Sequence, residues 1–68
     1  MFQKIEECLN KTIKCSDGCV RRLNEVKPYF LDYEGFVDID GDKYWYNFGK
    51  ISRNVLEKYL LQGKEVSI

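Results

Sequence analysis

The chain contains no histidine among its 68 residues. Because a nucleophilic serine or cysteine normally relies on a histidine as its base, the usual form of nucleophilic catalysis has no candidate here. Carboxylate pairs such as Asp38 and Asp40 are predicted to lie on an exposed strand face, where nothing would raise one pKa and hold the other down. A chain this short also has little room for both a core and a deep cleft. The sequence therefore favours a protein that is not an enzyme and needs no cofactor.

Long apolar runs and an excess of charge of either sign are also missing. No run approaches the length of about 20 residues that a membrane-spanning helix needs, and Met1–Lys4 lead into an amphipathic stretch rather than the apolar segment of a signal peptide. The net charge is zero, so no long-range field would draw the chain onto nucleic acid or an anionic membrane. We expect one cytoplasmic domain, residues 1–68, with no membrane contact. Its small core makes a homodimer an alternative to a monomer.

Cysteine is present but not in a recognisable pattern. The spacing of Cys8, Cys15 and Cys19 matches none of the paired zinc-ligand motifs, and a zinc site in one chain would need a carboxylate as its fourth ligand. The favoured interpretation is three small buried thiols in a reducing compartment. Two alternatives stay open: a disulfide between Cys15 and Cys19, and a metal whose ligands are shared by a dimer. We expect no metal site in a single chain.

The first 26 residues show helical spacing. One apolar stripe predicts a helix over residues 2–14; it consists of Phe2, Ile5, Leu9, Thr12 and Ile13. A second short helix would carry Val20, Leu23 and Val26 and end before Pro28. For residues 12–26, however, a β-hairpin through Lys14–Val20 is a competing prediction, because Ser16-Asp17-Gly18 has the chemistry of a turn.

The strongest local signal is a β-hairpin across Asp40-Gly41. From Leu31 to Gly41 apolar and acidic residues alternate, as in a half-buried strand, and Asp-Gly is a preferred dipeptide of a type I′ turn. In the resulting register Val37 pairs with Tyr44. The predicted core face carries Val37, Ile39, Tyr44, Tyr46 and Phe48. The opposite face carries Phe36, Asp38, Lys43, Trp45 and Asn47.

The C-terminal part predicts a helix over residues 53–62. Ser52 is a suitable N-cap, and Gly63 is the residue expected just past the helix end. Its buried stripe is predicted to contain Val55, Leu56, Tyr59 and Leu60. Residues 64–68 alternate again and would add a short edge strand. The fold class is therefore α+β: an N-terminal helix or helical pair, a small antiparallel sheet centred on the hairpin, and a C-terminal helix packed on one face.

The charges are unevenly distributed along the chain. Residues 29–49 carry five acidic and one basic side chain, whereas each end of the chain has a net charge of +2. Aromatic residues within a charged rim have the anatomy of a binding hot spot. The predicted partner-binding residues are Asp32, Glu34, Phe36, Asp38, Asp40, Asp42 and Trp45. The alternative is that the N-terminal helix packs on this face and buries both rings.

The preferred function is a non-catalytic protein-binding module that engages a basic surface. A narrower hypothesis is an inhibitor of a nucleic-acid-handling protein, because carboxylates can replace phosphates against arginine and lysine; small phage-type inhibitors use the same physics. The alternative is a small nucleic-acid-binding domain that uses its basic ends. Its candidate residues are Lys14, Arg21, Arg22 and Lys27, or Lys50, Arg53 and Lys58. Direct binding is the less favoured hypothesis, because the carboxylates around Trp45 would repel a phosphate backbone.

Overall fold

The computed structural model describes all 68 residues, which form mainly one five-stranded antiparallel sheet. The first four strands make a meander, a C-terminal helix carries the chain across to the other edge, and the last strand pairs with the first. The elements are a 3₁₀ turn (Ile5–Cys8), β1 (Thr12–Lys14), β2 (Val20–Val26), β3 (Phe30–Ile39), β4 (Asp42–Ser52), α1 (Arg53–Leu61) and β5 (Lys64–Glu65). The strand order is β4-β3-β2-β1-β5. Neither helical segment has the length and apolar character that crossing a bilayer requires.

The predicted N-terminal helix is wrong, and no helical pair exists. Residues 2–14 form a single 3₁₀ turn followed by β1. Ile5 and Cys8 are both buried because residues three apart lie on the same side of a 3₁₀ turn. Ile13 belongs to β1 and pairs with Arg21, so the hairpin alternative for residues 12–26 describes the structure.

A β-bulge explains why β2 looked helical in the sequence. Leu23 and Val26 are three residues apart, yet they pair with Tyr33 and Leu31, which lie on one face of β3. The register shifts after Leu23, so that Asn24 is an extra residue in the strand. One extra residue reverses the alternation of faces, and a bulged strand therefore imitates helical spacing.

The predicted hairpin across Asp40-Gly41 is confirmed. Val37 pairs with Tyr44, and each later pair follows the predicted register as far as the turn. Asp40 and Gly41 have φ values of 54° and 88°. Positive φ at both central residues is the requirement of a type I′ turn.

The C-terminal helix is also confirmed, and it closes the core. Leu56 and Leu60 are buried, whereas Val55, predicted in the same stripe, is 51% exposed, so its prediction was wrong. Gly63 follows the helix for a different reason from the one expected: it lacks a positive φ, and a Cβ there would stand 2.6 Å from the carbonyl oxygen of Lys14. The buried core consists of Ile5, Cys8, Ile13, Cys15, Leu23, Leu31, Leu56 and Leu60.

The outer part of the β3–β4 hairpin extends beyond this core. β3 pairs with β2 only as far as Gly35, while its pairing with β4 continues to Ile39. We term residues 35–48 the hairpin arm. The prediction that these apolar residues of the arm belong to the core is wrong for the single chain. Four of them are about half exposed: Ile39 at 53%, Tyr44 at 42%, Tyr46 at 54% and Phe48 at 47%.

Element lengths account for this exposure. The nine residues of α1 extend about 13 Å at a rise of about 1.5 Å per residue. The ten residues of β3 extend about 34 Å at about 3.4 Å per residue. A helix of that length covers the body of the sheet and leaves the arm free.

Candidate functional site

Two aromatic rings form the centre of the candidate site. Phe36 and Trp45 are direct partners across β3 and β4, and their ring centroids lie 5.0 Å apart with the planes at 67°. This edge-to-face arrangement is favourable for aromatic pairs. Both side chains are half-buried and lie on the sheet face opposite α1, which we term the outer face. Because the N-terminal helix does not exist, the alternative in which that helix buries both rings is wrong.

Arg22, which the sequence suggests only as a candidate phosphate contact, belongs to this site. Its guanidinium lies over the Trp45 ring, 4.1 Å from the centroid. The same group donates hydrogen bonds to Glu34 Oε1 at 2.7 Å and to Thr12 Oγ1 at 3.2 Å. The β-hairpin alternative for residues 12–26 predicts this position. Arg22 directly precedes the core residue Leu23 in the strand and therefore points to the outer face.

Most of the predicted partner-binding residues share the outer face. β3 alternates without interruption between its buried residues Leu31 and Gly35, so the residues between and beyond them point the other way. The structure brings together Asp32, Glu34, Phe36, Asp38 and Trp45. Glu34 is the member whose charge is neutralised, because it forms an ion pair with Arg22.

The two remaining carboxylates lie at the end of the arm. Asp40 is in the turn itself, and Asp42 pairs with Ile39, which places it on the α1 side rather than on the outer face. Asp38 also contributes to the turn, since its Oδ1 accepts a hydrogen bond from the Gly41 N–H at 3.0 Å. We term Asp38, Asp40 and Asp42 the acidic tip; its carboxylates lie on both faces of the arm.

Ion pairing leaves this tip unneutralised. Each of the three arginines is paired with a carboxylate: Arg21 with Asp17, Arg22 with Glu34, and Arg53 with Glu57. In contrast, Asp38, Asp40 and Asp42 have no ion-pair partner. The tip therefore holds three of the seven carboxylates that lack an ion-pair partner, together with one unpaired lysine, Lys43, and has a net charge of −2.

The basic residues proposed for nucleic-acid binding are partly engaged within the chain. Arg21 donates two hydrogen bonds of 2.9 Å to the carboxylate of Asp17, and these lower the pKa of Asp17. Lys27 lies 3.7 Å from a carboxylate oxygen of Glu25. Phosphate binding would have to compete with these partners.

The cysteines do not converge. Cys8 and Cys15 are buried as predicted, whereas Cys19 is exposed, and all three are free, so no disulfide joins Cys15 to Cys19. Burial raises the pKa of the Cys8 thiol to about 11 and also raises that of Cys15. No group of three cysteine or carboxylate side chains is arranged to hold a metal ion. Comparison of the chain with protein-family models, curated proteins and solved structures yields no match.

Proposed function

We propose that this protein is a non-catalytic protein-binding module whose hairpin arm engages a basic surface of a nucleic-acid-handling protein. The observation that carries the proposal is the set of unpaired carboxylates, Asp38, Asp40 and Asp42, at the end of an arm that also carries Trp45. Carboxylates accept charge-assisted hydrogen bonds from arginine and lysine in the same way as phosphates do. A surface that normally binds a phosphate backbone would therefore accept this tip.

The aromatic pair supplies the apolar part of the contact. Phe36 and Trp45 are half-buried, so both retain exposed ring surface beside the carboxylates. Tryptophan and arginine are the residue types that most often dominate binding energy at interfaces, and the Arg22 guanidinium packs over the Trp45 ring. A preoriented ring loses little conformational entropy on binding.

The proposed mode of action is inhibition. By covering a basic surface, the arm would compete with nucleic acid for the same arginine and lysine side chains. We place the interaction in the cytoplasm, where the three free thiols stay reduced. Direct nucleic-acid binding is not advanced as a second function, because every arginine already has a carboxylate partner.

The test compares the wild type with an arm variant against an identified partner. The partner is captured from a lysate of the native host and purified, and its affinity for each form of this chain is then measured. The triple variant Asp38→Asn, Asp40→Asn and Asp42→Asn should bind at least about tenfold more weakly, because a hydrogen bond to a charged group is worth about 1.5–3 kcal/mol. Duplex DNA should compete with the wild type for the partner.

A matched control removes the same number of charges elsewhere. Glu6, Glu7 and Glu65 are exposed and lie outside the arm, so their replacement by glutamine should leave affinity for the partner unchanged. Equal loss of affinity in both triple variants would show a dependence on net charge only. Full affinity in the arm variant would refute the proposal.

A further inference from the structure

Five apolar side chains cover the α1 side of the hairpin arm, and none of them is used in the function proposed above. We term this surface the arm patch; it consists of Val37, Ile39, Tyr44, Tyr46 and Phe48. These residues alone line an open depression of about 440 Å³. The rings support one another: Tyr46 and Phe48 have centroids 4.9 Å apart in an edge-to-face contact, and Phe48 stacks on Tyr33 at 5.3 Å. The patch is therefore a preformed apolar surface.

The area of the arm patch fits a contact between two copies. A large aromatic residue has about 150–250 Å² to bury, so four residues that are about half exposed present roughly 400 Å². That is the size at which an exposed apolar patch is often functional. Two such patches packed together would bury roughly 800 Å² before the surrounding backbone and rim are added, which approaches the roughly 1,200 Å² of a small specific interface.

The neighbouring sheet edge is protected, whereas the face is not. β4 is an edge strand of the sheet, but Lys43 and Lys50 lie on it, and its register is broken by a bulge at Phe48. Lysines and bulges on an edge strand oppose the addition of another strand. The arm patch contains no charged side chain. The sequence of the arm therefore opposes pairing through the β4 edge and permits packing through the arm patch.

Charge determines the orientation of the second copy. If two arms packed in parallel, the unpaired carboxylates at both tips would lie side by side and repel each other. In an antiparallel arrangement the two acidic tips lie at opposite ends of the paired arms, which reduces this repulsion. The same patch then serves both chains, as a two-fold axis requires.

We infer that the chain forms a two-fold symmetric homodimer in which the arm patches of two copies pack face to face and antiparallel. The partner's arm then occupies the layer that α1 occupies over the body of the sheet. Together α1 and the partner's arm cover the whole apolar face. The outer face, with Phe36 and Trp45, remains free in this dimer.

Sedimentation equilibrium of the full chain from about 10 µM to about 1 mM tests the inference, because a small interface would be populated in that range. The wild-type mass should rise from 8.1 kDa toward twice that value. Tyr46→Glu places a charge in the centre of the patch and should raise the dimer dissociation constant at least about tenfold. Isotope-filtered NMR on mixed labelled and unlabelled wild-type chains should show contacts between the Ile39 methyl groups of one copy and the Tyr46 ring of the other.

Tyr29→Glu is the matched control, since Tyr29 is 87% exposed and lies outside the arm. This variant should dimerise like the wild type. If Tyr46→Glu fails to fold, as judged by circular dichroism, the wild-type NMR contacts decide the question. A wild-type chain that stays monomeric to about 1 mM would overturn the inference, as would a dimer that persists in a folded Tyr46→Glu. Burial of the arm patch against a different protein, rather than against a second copy, would also overturn the inference.

Discussion

The guanidinium of Arg22 lies over the ring of Trp45, with its central carbon 4.1 Å from the ring centroid. The two residues come from β2 and β4, on either side of β3, so the contact spans three strands. Arg22 also donates hydrogen bonds to Glu34 and Thr12, so it connects the Trp45 ring of the hairpin arm to side chains of β3 and β1. A mutation at Arg22 should therefore be detected at Trp45.

Replacing Arg22 by methionine removes the charge and keeps most of the side-chain length. We expect the free energy of unfolding to fall by about 1–2 kcal/mol, since a cation–π contact at a partly exposed site contributes about 0.5–1 kcal/mol and an exposed ion pair up to about 1 kcal/mol. The fluorescence emission of Trp45 should shift to longer wavelength as its ring becomes solvated. Urea denaturation and emission spectra measure both effects.

Arg53→Met is the control for this change. Arg53 also pairs with a carboxylate, Glu57, but it lies on α1 and has no contact with an aromatic ring of the outer face. Its replacement should leave the emission maximum of Trp45 unchanged. An unchanged maximum in Arg22→Met would contradict the contact described here.

The sequence predicts the hairpin well because its information is local. Alternation along β3 and the Asp40-Gly41 dipeptide together determine which residues pair, and neither depends on distant parts of the chain. The prediction that Tyr44 and Tyr46 belong to the core of the chain failed for the opposite reason. Alternation identifies an apolar face, but what covers that face depends on the length and path of α1.

The N-terminal prediction failed because two irregularities imitate a helix. Phe2 and Ile5 of the predicted stripe stand before and within a single 3₁₀ turn, whose three-residue period resembles helical spacing. Leu23 and Val26 are brought to one face by the bulge at Asn24. β1 is only three residues long, too short to show an alternation of its own. The position of Arg22 on the outer face depended on this segment, so it was missed as well.

Gly63 should resist substitution because of close packing rather than backbone conformation. A Cβ at this position would stand 2.6 Å from the backbone oxygen of Lys14 and 2.7 Å from Cγ2 of Ile13. We expect Gly63→Ala to lower the free energy of unfolding by about 1–3 kcal/mol, the usual cost of overpacking. Gly63→Asn should be more destabilising, because the larger side chain meets the same backbone.

Gly41 provides the contrasting case. Its φ is +88° and a Cβ would meet nothing within 4 Å, so Gly41→Ala should cost about 1–2 kcal/mol from conformation alone. Asparagine tolerates this region better than alanine, and Gly41→Asn should therefore be the milder change. The order of alanine and asparagine is thus expected to be opposite at Gly41 and Gly63. Finding the same order at both positions would refute this account.

The Asp17–Arg21 pair should make stability depend on pH in the acid range. Hydrogen bonds from Arg21 hold the pKa of Asp17 below its usual value of 3.8 in the folded chain. A lowered folded pKa contributes stability that is complete above the unfolded pKa and is lost as the pH falls through the folded one. Asp17→Asn should therefore be less stable than the wild type at about pH 7, by at most about 1 kcal/mol for a surface pair, and the difference should shrink as the pH falls below 3.8.

Urea denaturation of both proteins across this pH range measures the difference. Asp40→Asn is the control, because Asp40 has no ion-pair partner and an exposed substitution of this kind usually changes stability by less than about 0.5 kcal/mol. A difference between Asp17→Asn and the wild type that stays constant down to about pH 2 would show that the ionised pair contributes nothing.

The three thiols should differ in reactivity with a disulfide reagent. Cys19 is exposed, whereas Cys8 and Cys15 are buried, and burial raises the pKa of Cys8 to about 11. Because the thiolate is the reactive form, we expect one thiol per native chain to react rapidly at about pH 8, and all three after denaturation. Cys19→Ser should abolish the rapid phase. Rapid reaction of Cys8 in the native chain would mean that the contact between α1 and the 3₁₀ turn opens without unfolding of the sheet.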